Sequence, residues 1–255
     1  MTEKRIQVLP LRTRAAMLAR LLAVQGSWNY EILMGTGIGF CTEPALRLLP
    51  GGVQGTAYRD ALARQVQYFN SHPYLAAIAV GALARAELDG ESPAHIERFR
   101  TALCGPLGSV GDRLVWAGWL PLCSVLSLVA FALGAAPATT LLIFLGLYNV
   151  GHLGLRMWGL NVGWAQGMRV ASALGHPALR QGPVHITRAA AVLGGLALPL
   201  LLHRFLEESR PLIGLTTVAV VIVAAGLVKL HGRVEGARLA LLGLALLAGY
   251  SVLPW

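Results

Sequence analysis

Apolar residues recur at helical spacing in the first part of the chain, and strand-like alternation persists nowhere. Two stretches carry an apolar residue at every third or fourth position: Leu11, Ala15, Leu18 and Leu22, and later Tyr58, Leu62, Val66 and Phe69. This spacing places the apolar residues on one face of an amphipathic helix. We expect the second helix to stop near Asn70. The pattern therefore predicts an all-α fold.

Two serine-proline segments predict the starts of two more helices. Ser71-His72-Pro73 and Ser92-Pro93 each combine a polar cap with proline in the first turn, as is typical of helix starts. The first of these helices has no charge over residues 74–84. That stretch is too short to span a bilayer and suits a buried or re-entrant helix. We expect the second helix to end at Gly105-Pro106.

Beyond residue 113 the pattern changes to long apolar stretches. Three of them reach the length of a membrane-spanning helix, about 17–25 residues, and two are shorter. The three long stretches are Leu114–Leu133, Ala138–Leu155 and Leu212–Val228, and the two shorter ones are Ala189–Leu202 and Leu239–Leu253. The sequence thus predicts an all-α integral membrane protein in two regions. Residues 1–113 form amphipathic and re-entrant helices on the cytoplasmic side, and residues 114–255 form about five transmembrane helices.

Charge and composition narrow the class of protein. The 255 residues include 21 Lys+Arg and 12 Asp+Glu, but only 13% of residues are charged, against about 25% in an ordinary soluble domain. The arginines are spread between apolar stretches, which argues against nucleic-acid binding and favours a membrane protein. Three cysteines, the apolar content and the lack of a Gly-X-Y period exclude a disulfide-stapled scaffold, intrinsic disorder and collagen.

The charges between the apolar stretches predict a topology. Residues 156–188 carry four arginines and no acid, whereas two arginines in residues 203–211 are balanced by two glutamates. The positive-inside rule puts the first connection in the cytoplasm and the second outside. Residues 1–30 lack the uninterrupted apolar segment of a secretory signal, so we expect a cytoplasmic N-terminus. Five crossings then place the C-terminus, Trp255, outside.

Candidate polar groups lie within and beside the apolar stretches. Asn149, His152 and Arg156 are spaced by three and four residues and share one helical face. Such groups line a water-filled path or form hydrogen bonds to a neighbouring helix. Asp112 either caps the following helix or contacts a sugar or a partner. Ser71 is expected to cap a helix, and the roles of its neighbours Asn70 and His72 stay open.

The glycine-rich run before residue 112 is expected either to let backbones approach closely or to turn the chain at the membrane boundary. A phosphate-binding loop would need a preceding strand and a following Lys, and neither is present. The residues expected to form structural turns are Pro73, Gly105, Pro106, Gly108 and Gly111. No His, Cys or carboxylate set has metal-ligand spacing, and no catalytic triad or carboxylate pair can be identified. The sequence predicts neither a metal site nor catalytic residues of its own.

Three blocks of the sequence carry a family resemblance: Gln25–Glu31 (QGSWNYE), Gln67–Tyr74 (QYFNSHPY) and Gly105–Asp112 (GPLGSVGD). In order and separation they resemble the hallmark stretches of the IID membrane subunit of the mannose/fructose/sorbose-type bacterial sugar phosphotransferase system (PTS). The resemblance extends through Asn149, Arg156 and a predicted turn at residues 163–167. It covers nearly the whole chain.

The resemblance implies a permease subunit in the bacterial inner membrane. Such a subunit works with a IIC membrane subunit while a hexose crosses and is phosphorylated from a phosphohistidine on IIB. The implied phosphocarriers are IIA and IIB, separate or fused as IIAB. The IID subunit is not itself phosphorylated and needs no cofactor. Candidates for the substrate path or for partner contact are Trp28, Asn29, Glu31, Asn70, His72, Asp112, Asn149 and Arg156.

The sequence departs from the family pattern at three places. Ile32-Leu33-Met34 replaces a usual Arg-Met-Gln, Gln67 replaces an acid, and Arg113 follows Asp112 where a small polar residue is usual. These changes remove polar groups beside the presumed sugar path. A non-transporting membrane scaffold or regulatory IID-like protein is therefore the alternative function.

Overall fold

The computed structural model describes residues 8–170, 175 and 177–205, and these residues are predominantly helical. Their α-helices are α1 (Leu11–Leu21), α2 (Gly35–Leu46), α3 (Thr56–Gln65), α4 (Ala76–Leu88), α5 (Pro93–Gly111), α6 (Leu120–Ala132), α7 (Pro137–Gln166) and α8 (Pro177–Phe205). Short 3₁₀ turns lie at Gly52–Gln54 and Gly167–Arg169, and the π-helical segment Asp112–Trp119 joins α5 to α6. Extended pairing in this part of the chain is limited to isolated bridges. The predicted all-α class is confirmed.

The region boundary predicted at residues 113 and 114 falls inside a helix. α5, the π-helical segment and α6 form one uninterrupted helix, Pro93–Ala132. By internal contacts the chain instead divides into two compact units, residues 1–194 and residues 195–255. The candidate site lies within the first unit.

Three of the described helices are long and apolar enough to cross a bilayer: Pro93–Ala132, Pro137–Arg169 and Leu179–Phe205. They contain almost all of the predicted stretches that begin at Leu114, Ala138 and Ala189. The stretches that begin at Leu212 and Leu239 lie outside the described residues. The prediction of apolar spans is confirmed for these three helices.

The centre of the first unit is α4 with the segment before it. Every residue from 71 to 84 is buried, so the prediction that the uncharged stretch 74–84 is buried is confirmed. Its re-entrant placement stays a prediction. Burial inside the protein explains why this helix can be apolar on all sides.

Small residues let α4 and α7 approach closely. A Cβ atom at Gly81 of α4 would collide with the backbone of Leu160 and Trp164, and a Cβ atom at Gly163 would collide with the carbonyl of Ile78. Glycines at such crossings bring helix backbones together. Gly163 therefore lies inside α7 and allows this helix to pack closely on α4. Of the turn predicted for residues 163–167, only Gly167 leaves the helix, with φ +52°.

The buried face of α1 differs from the predicted one. Its buried side chains are Met17 and Leu21, whereas Leu11 is 79% exposed and Leu22 is 57% exposed. Both faces of this helix carry apolar residues, so spacing alone did not identify the packed face. The exposed leucines suit a lipid environment.

A proline inside α2 explains one contact between α1 and α2. Pro44 has no N–H, so the carbonyl of Phe40, four residues earlier, loses its helical partner. Arg20 of α1 replaces that partner, since its Nη1 donates to the Phe40 carbonyl at 2.8 Å and to Glu43 Oε2 at 2.7 Å. This guanidinium thereby connects α1 to the turn of α2 that precedes Pro44.

Glu43 joins this contact to α3. Its Oε1 accepts hydrogen bonds from Arg47 Nε at 2.6 Å and from Tyr58 Oη at 2.9 Å. Burial raises the pKa of Glu43, but the hydrogen bonds from Arg47, Tyr58 and Arg20 outweigh it and keep the pKa below its usual value. The carboxylate is therefore charged and fixes three helices together.

α3 ends at Gln65 and not near Asn70. The residues that follow leave the helix to form backbone hydrogen bonds with the segment directly after the first block: Met34 N donates to the Phe69 carbonyl at 3.0 Å, and Phe69 N donates to the Ile32 carbonyl at 3.1 Å. These bonds compete with the last helical turn. They also hold the residues that follow the first block against the second block of the family resemblance.

The predicted turn after Cys104 is wrong. Gly105, Pro106, Gly108 and Gly111 all lie within the continuous helix Pro93–Ala132. Pro106 removes one helical hydrogen bond, but Ala102, whose carbonyl it releases, is exposed and can be solvated. A single lost bond in such a long helix does not end it.

Two capping predictions are also wrong. Asp112 continues the helix, and its backbone N–H donates to the carbonyl of Gly108, so it does not act as an N-cap. Ser71 Oγ donates to the carbonyl of His72 at 3.2 Å and caps no N–H. Ser92 precedes α5, with Pro93 in its first turn, as predicted. α4 begins at Ala76, so Pro73 lies in the turn before this helix and not in its first turn.

Candidate functional site

Six side chains meet beside the N-terminal end of α4. His72 and Tyr74 come from the buried turn before α4, Trp116 comes from the π-helical segment, and three side chains come from α7. We name this group the aromatic–polar cluster: His72, Tyr74, Trp116, Tyr148, His152 and Arg156.

One face of α7 carries half of the cluster, because Tyr148, His152 and Arg156 are four residues apart. Tyr148 Oη lies 2.6 Å from Tyr74 Oη. The His152 ring lies 4.3 Å from the Tyr74 ring, centroid to centroid, and the Arg156 guanidinium lies 4.9 Å from the same centroid. Tyr74 thus lies along the α7 face and contacts all three residues.

Arg156 is 5% exposed and points into the protein. Its Nε donates to His152 Nε2 at 2.8 Å, and its Nη1 donates to the backbone carbonyl of Leu21. Among the described residues, no carboxylate pairs with it. The bond to Leu21 is a hydrogen bond between helices, which is one of the two roles that the sequence left open for Arg156.

The bond from Arg156 fixes the protonation of its neighbours. A guanidinium can only donate, so His152 Nε2 accepts and the proton of the neutral ring is on Nδ1. His152 Nδ1 lies 3.4 Å from Asn149 Oδ1, and Asn149 Nδ2 donates to the Leu145 carbonyl at 2.8 Å. A directed chain of hydrogen bonds runs from Arg156 to Asn149, which is itself exposed.

His72 is the most enclosed member, with 1% of its surface exposed. Its Nδ1 accepts the backbone N–H of Tyr74 at 3.2 Å. In the neutral ring Nε2 therefore carries the proton, and this buried donor has no partner within the described part of the chain. Burial lowers the pKa of His72 to about 4, and the charge of Arg156 adds to the effect. The ring is neutral near pH 7.

Gly111 makes room for the His72 ring. A Cβ atom at Gly111 would collide with the His72 side chain, so the third block of the family resemblance packs directly on the second. The His72 ring lies 5.0 Å from the rings of both Tyr74 and Trp116, centroid to centroid. Gly111 is thus a position of close packing, one of the two uses that the sequence left open, and not a turn.

The cluster can bind a neutral polar ligand. His72 offers an unsatisfied N–H, Arg156 carries a charge without a carboxylate, and Trp116 is 44% exposed. Hydrogen-bond donors and aromatic faces together suit a ligand that has hydroxyl groups and apolar C–H surfaces. No group of three potential metal ligands occurs in the described ranges.

The predicted site residues fall into two sets. His72 and Arg156 belong to the cluster, and Asn149 joins it through His152. The other candidates are exposed and lie outside it: Trp28, Asn29, Glu31, Asn70 and Asp112.

The first block forms its own exposed turn. Asn29 Oδ1 accepts the backbone N–H groups of Glu31 and Ile32, both at 3.0 Å. The rings of Trp28 and Tyr30 pack edge to face with centroids 4.9 Å apart. Asn29 therefore shapes the local backbone, an arrangement typical of Asn in turns.

Arg100 is a structural residue that the sequence reasoning missed. This side chain is 4% exposed. Its Nη2 donates to the carbonyls of Gln65 and Gln67, both at 3.0 Å, its Nη1 donates to the Tyr68 carbonyl at 3.4 Å, and its Nε donates to Gln65 Oε1 at 3.2 Å. We name Arg100 and these partners the loop anchor, because they hold the segment that leads to His72.

Glu87 completes the support of the loop anchor. Its carboxylate accepts Gln65 Nε2 at 2.7 Å and Arg64 Nη2 at 2.7 Å. No local sequence pattern places Arg100 near residue 65. For the aromatic–polar cluster, helical spacing could have identified Tyr148, which stands four residues before His152. No sequence pattern indicated that Tyr74 and Trp116 join them.

Comparisons with known proteins identify the family. A sequence profile described as the PTS system mannose/fructose/sorbose family IID component matches residues 9–231. The chain belongs to this family. The predicted resemblance is confirmed, and the chain is an inner-membrane subunit of a sugar PTS.

Several relatives support the assignment. The chain is 28% identical over 218 residues to the mannose-specific EIID component of Escherichia coli strain K12, covering 83% of this chain and 73% of the relative. It is 30% identical over 204 residues to the sorbose-specific EIID component of Klebsiella pneumoniae, covering 78% and 71%. It is 28% identical over 206 residues to the fructose permease IID component of Bacillus subtilis strain 168, covering 78% and 71%.

Two solved structures share the fold. A chain of a cryo-EM structure of the mannose transporter ManYZ with microcin E492 matches with a TM-score of 0.56 and 21% identity, covering 96% of this chain and 97% of that one. A second membrane protein matches with a TM-score of 0.67 and 21% identity, covering 95% and 97%. The PTS IID subunit thus has the fold of known membrane proteins.

Proposed function

We propose that this IID subunit works with a IIC subunit to carry a hexose across the membrane, coupled to phosphorylation of the sugar by phospho-IIB. The aromatic–polar cluster carries the proposal. It is the place where the second and third blocks pack together, and it contains a buried donor that has no partner among the described residues. Blocks typical of the family thus meet at a group that can bind a hydroxyl.

A hexose matches the chemistry of the cluster. Each hydroxyl both donates and accepts, so a sugar oxygen can accept the Nε2 proton of His72. An unpaired buried donor costs about 1–3 kcal/mol, and a bound hydroxyl would remove that cost. The half-exposed ring of Trp116 offers an apolar face for the sugar C–H groups.

The chain guides the sugar and does not phosphorylate it. His72 lacks a nearby carboxylate in the described residues and has a low pKa, which makes it a poor base at neutral pH. The phosphoryl group comes from IIB, which receives it from IIA. The role of the IID side chains is to bind and orient an uncharged sugar.

A IIC subunit is the partner that α7 needs. Asn149 lies on the exposed side of this apolar helix, and its amide already bonds to the Leu145 carbonyl and to His152. The second amide N–H, which has no partner among the described residues, requires a polar neighbour in lipid. Large exposed apolar side chains surround it on the same helix, among them Val150, which is 73% exposed. The proposed complex covers this surface partly with IIC and partly with lipid.

The proposed topology follows the charges. The N-terminus and residues 1–113 lie at the cytoplasmic side, and Trp255 lies outside. Cysteine labelling at position 255 with a membrane-impermeant reagent tests this placement. Protection in intact cells would contradict it.

The function is tested by uptake and phosphorylation of labelled hexoses in membranes that contain this chain, with and without its IIC subunit. We expect activity only when both are present. His72→Ala should reduce uptake per assembled complex by about tenfold, the loss expected from one strong hydrogen bond. Intact complexes of the unaltered chain that transport none of mannose, fructose, sorbose or glucose would instead support the scaffold or regulatory role.

A further inference from the structure

A polar cleft lies beside the segment that leads to His72. It lies between α3 and α5, has a volume of about 690 Å³ and is lined by Asp60, Arg64, Tyr68, Glu97, Arg100 and Thr101 among others. Small-molecule sites typically occupy about 300–1,000 Å³. We name it the α3–α5 cleft. It shares no residue with the aromatic–polar cluster.

The cations of the cleft are already engaged by the protein. Arg64 pairs with Glu87 at 2.7 Å, and both side chains are largely buried. Arg100 donates four hydrogen bonds to the other residues of the loop anchor. Neither guanidinium is therefore a free binding site for an anion.

Two carboxylates also line the cleft. Asp60 and Glu97 are exposed, and their charges act on Arg64, although neither forms an ion pair with another described residue. Thr101 Oγ1 donates its proton to the Glu97 carbonyl at 3.1 Å, so its oxygen can still accept. Tyr68 is 53% exposed and adds an aromatic face and a hydroxyl. The cleft therefore offers acceptors and an aromatic face that suit the hydroxyls and C–H groups of a sugar.

We propose that the α3–α5 cleft is a second sugar site, which binds an unphosphorylated hexose and rejects the sugar phosphate. The assignment rests on the proposed function, because the ligand is the hexose that the complex carries. Carboxylates accept strong hydrogen bonds from sugar hydroxyls, and Tyr68 provides a stacking surface. Two carboxylates beside the ligand disfavour a phosphate ester by like-charge repulsion.

The loop anchor connects this site to the cluster. Arg100 fixes the carbonyls of Gln67 and Tyr68, and the same short segment continues to His72. A sugar in the cleft and a sugar at the cluster would thus contact opposite ends of one segment. The second block of the family serves both places.

Protection from alkylation tests the proposal. Thr101→Cys places a thiol in the cleft, and Ser109→Cys, at an exposed position of the same helix outside it, is the control. Both are made in a Cys104→Ser background, because Cys41 and Cys123 are buried, and both are coexpressed with IIC. The alkylation rate with a maleimide is measured with mannose, fructose or sorbose, and with mannose 6-phosphate or glucosamine.

We expect at least one neutral hexose to slow the reaction at position 101 by twofold or more and to leave position 109 unchanged. Mannose 6-phosphate should not protect, and adding Asp60→Asn with Glu97→Gln should abolish protection. Equal effects at both positions, no protection by any neutral hexose, or protection only by cationic glucosamine would overturn the assignment. Uptake measured on the same membranes separates the two proposals: transport without protection refutes the cleft alone, and protection without transport refutes the proposed function alone.

Discussion

The loop anchor and the aromatic–polar cluster each enclose a buried arginine, but the guanidinium group has different partners in the two places. Arg100 is 4% exposed and Arg156 is 5% exposed. Arg100 donates to four oxygens of one short segment. Arg156 contacts one carbonyl, one imidazole nitrogen and one aromatic ring.

The difference separates a structural arginine from a candidate functional one. A guanidinium has five N–H donors, and four of the bonds around Arg100 are fixed to the backbone and side chain of the loop anchor. The neighbours of Arg156 are rings that can themselves contact a ligand, and His72 beside them has a donor that no other described residue accepts. Arg100 and Arg156 are thus buried to the same extent but have different roles.

The same substitution at both arginines should have different results. Arg100→Met should lower the free energy of unfolding by on the order of 3 kcal/mol, because charge-assisted bonds to the loop anchor are lost. Arg156→Met should lower it by about 1–2 kcal/mol while uptake per assembled complex falls at least about tenfold. Thermal unfolding in detergent and hexose uptake measure the two effects. An Arg156→Met protein less stable than Arg100→Met would reverse the comparison.

The position of the cluster depends on the contact between α4 and α7. Gly163→Ala should destabilise the protein by about 1–3 kcal/mol, because its Cβ atom would meet the rigid carbonyl of Ile78. Gly146→Ala is the matched control on the same helix, since no heavy atom lies near its Cβ position. The melting temperatures in detergent should differ between the two variants. If both alanines had the same effect, helix propensity and not packing would dominate.

The neutral state of His72 predicts a pH dependence of stability. Burial holds its pKa at about 4 in the folded protein, against about 6.5 in the unfolded chain. Between these values the unfolded chain binds more protons, so stability is fully present above pH 6.5 and falls as the pH drops toward 4. The low pKa of Glu43 adds a further loss only below its ordinary value.

His72→Gln should remove the part of this loss between pH 6.5 and 5, and the measurement is the melting temperature of both proteins across that range. Arg156, Tyr74 and Trp116 face the ring and stay unchanged in the variant. Parallel curves for the two proteins would show that another group is responsible.

Asp112 should give the smallest structural effect. It is exposed on the π-helical segment, and surface substitutions usually change stability by less than about 0.5 kcal/mol. Asp112→Asn should leave the amount of assembled complex unchanged, and any loss should appear in uptake per complex. Reduced assembly with normal uptake per complex would assign Asp112 a structural role with a partner.

Sequence patterns located the helices better than their ends. The spacing predicted α1, α3, α4 and α5, while glycines and a proline suggested a turn at residues 105–111 that the structure replaces with a continuous helix. A local sequence pattern indicates only the structure that a segment favours without its tertiary contacts. The close contact between Gly111 and the His72 ring explains why a glycine lies inside this continuous helix.

By itself the sequence determined the all-α class, the apolar spans that the structure describes and the family, because periodicity, hydropathy and multi-residue blocks are local properties. It also placed Asn149, His152 and Arg156 on one face, since helical spacing suffices for that. Only the tertiary structure decided that this face meets His72 and that Arg100 holds residues 65–68. Those contacts join residues dozens of positions apart, and they depend on how closely α4 and α7 pack and on which buried donors find acceptors.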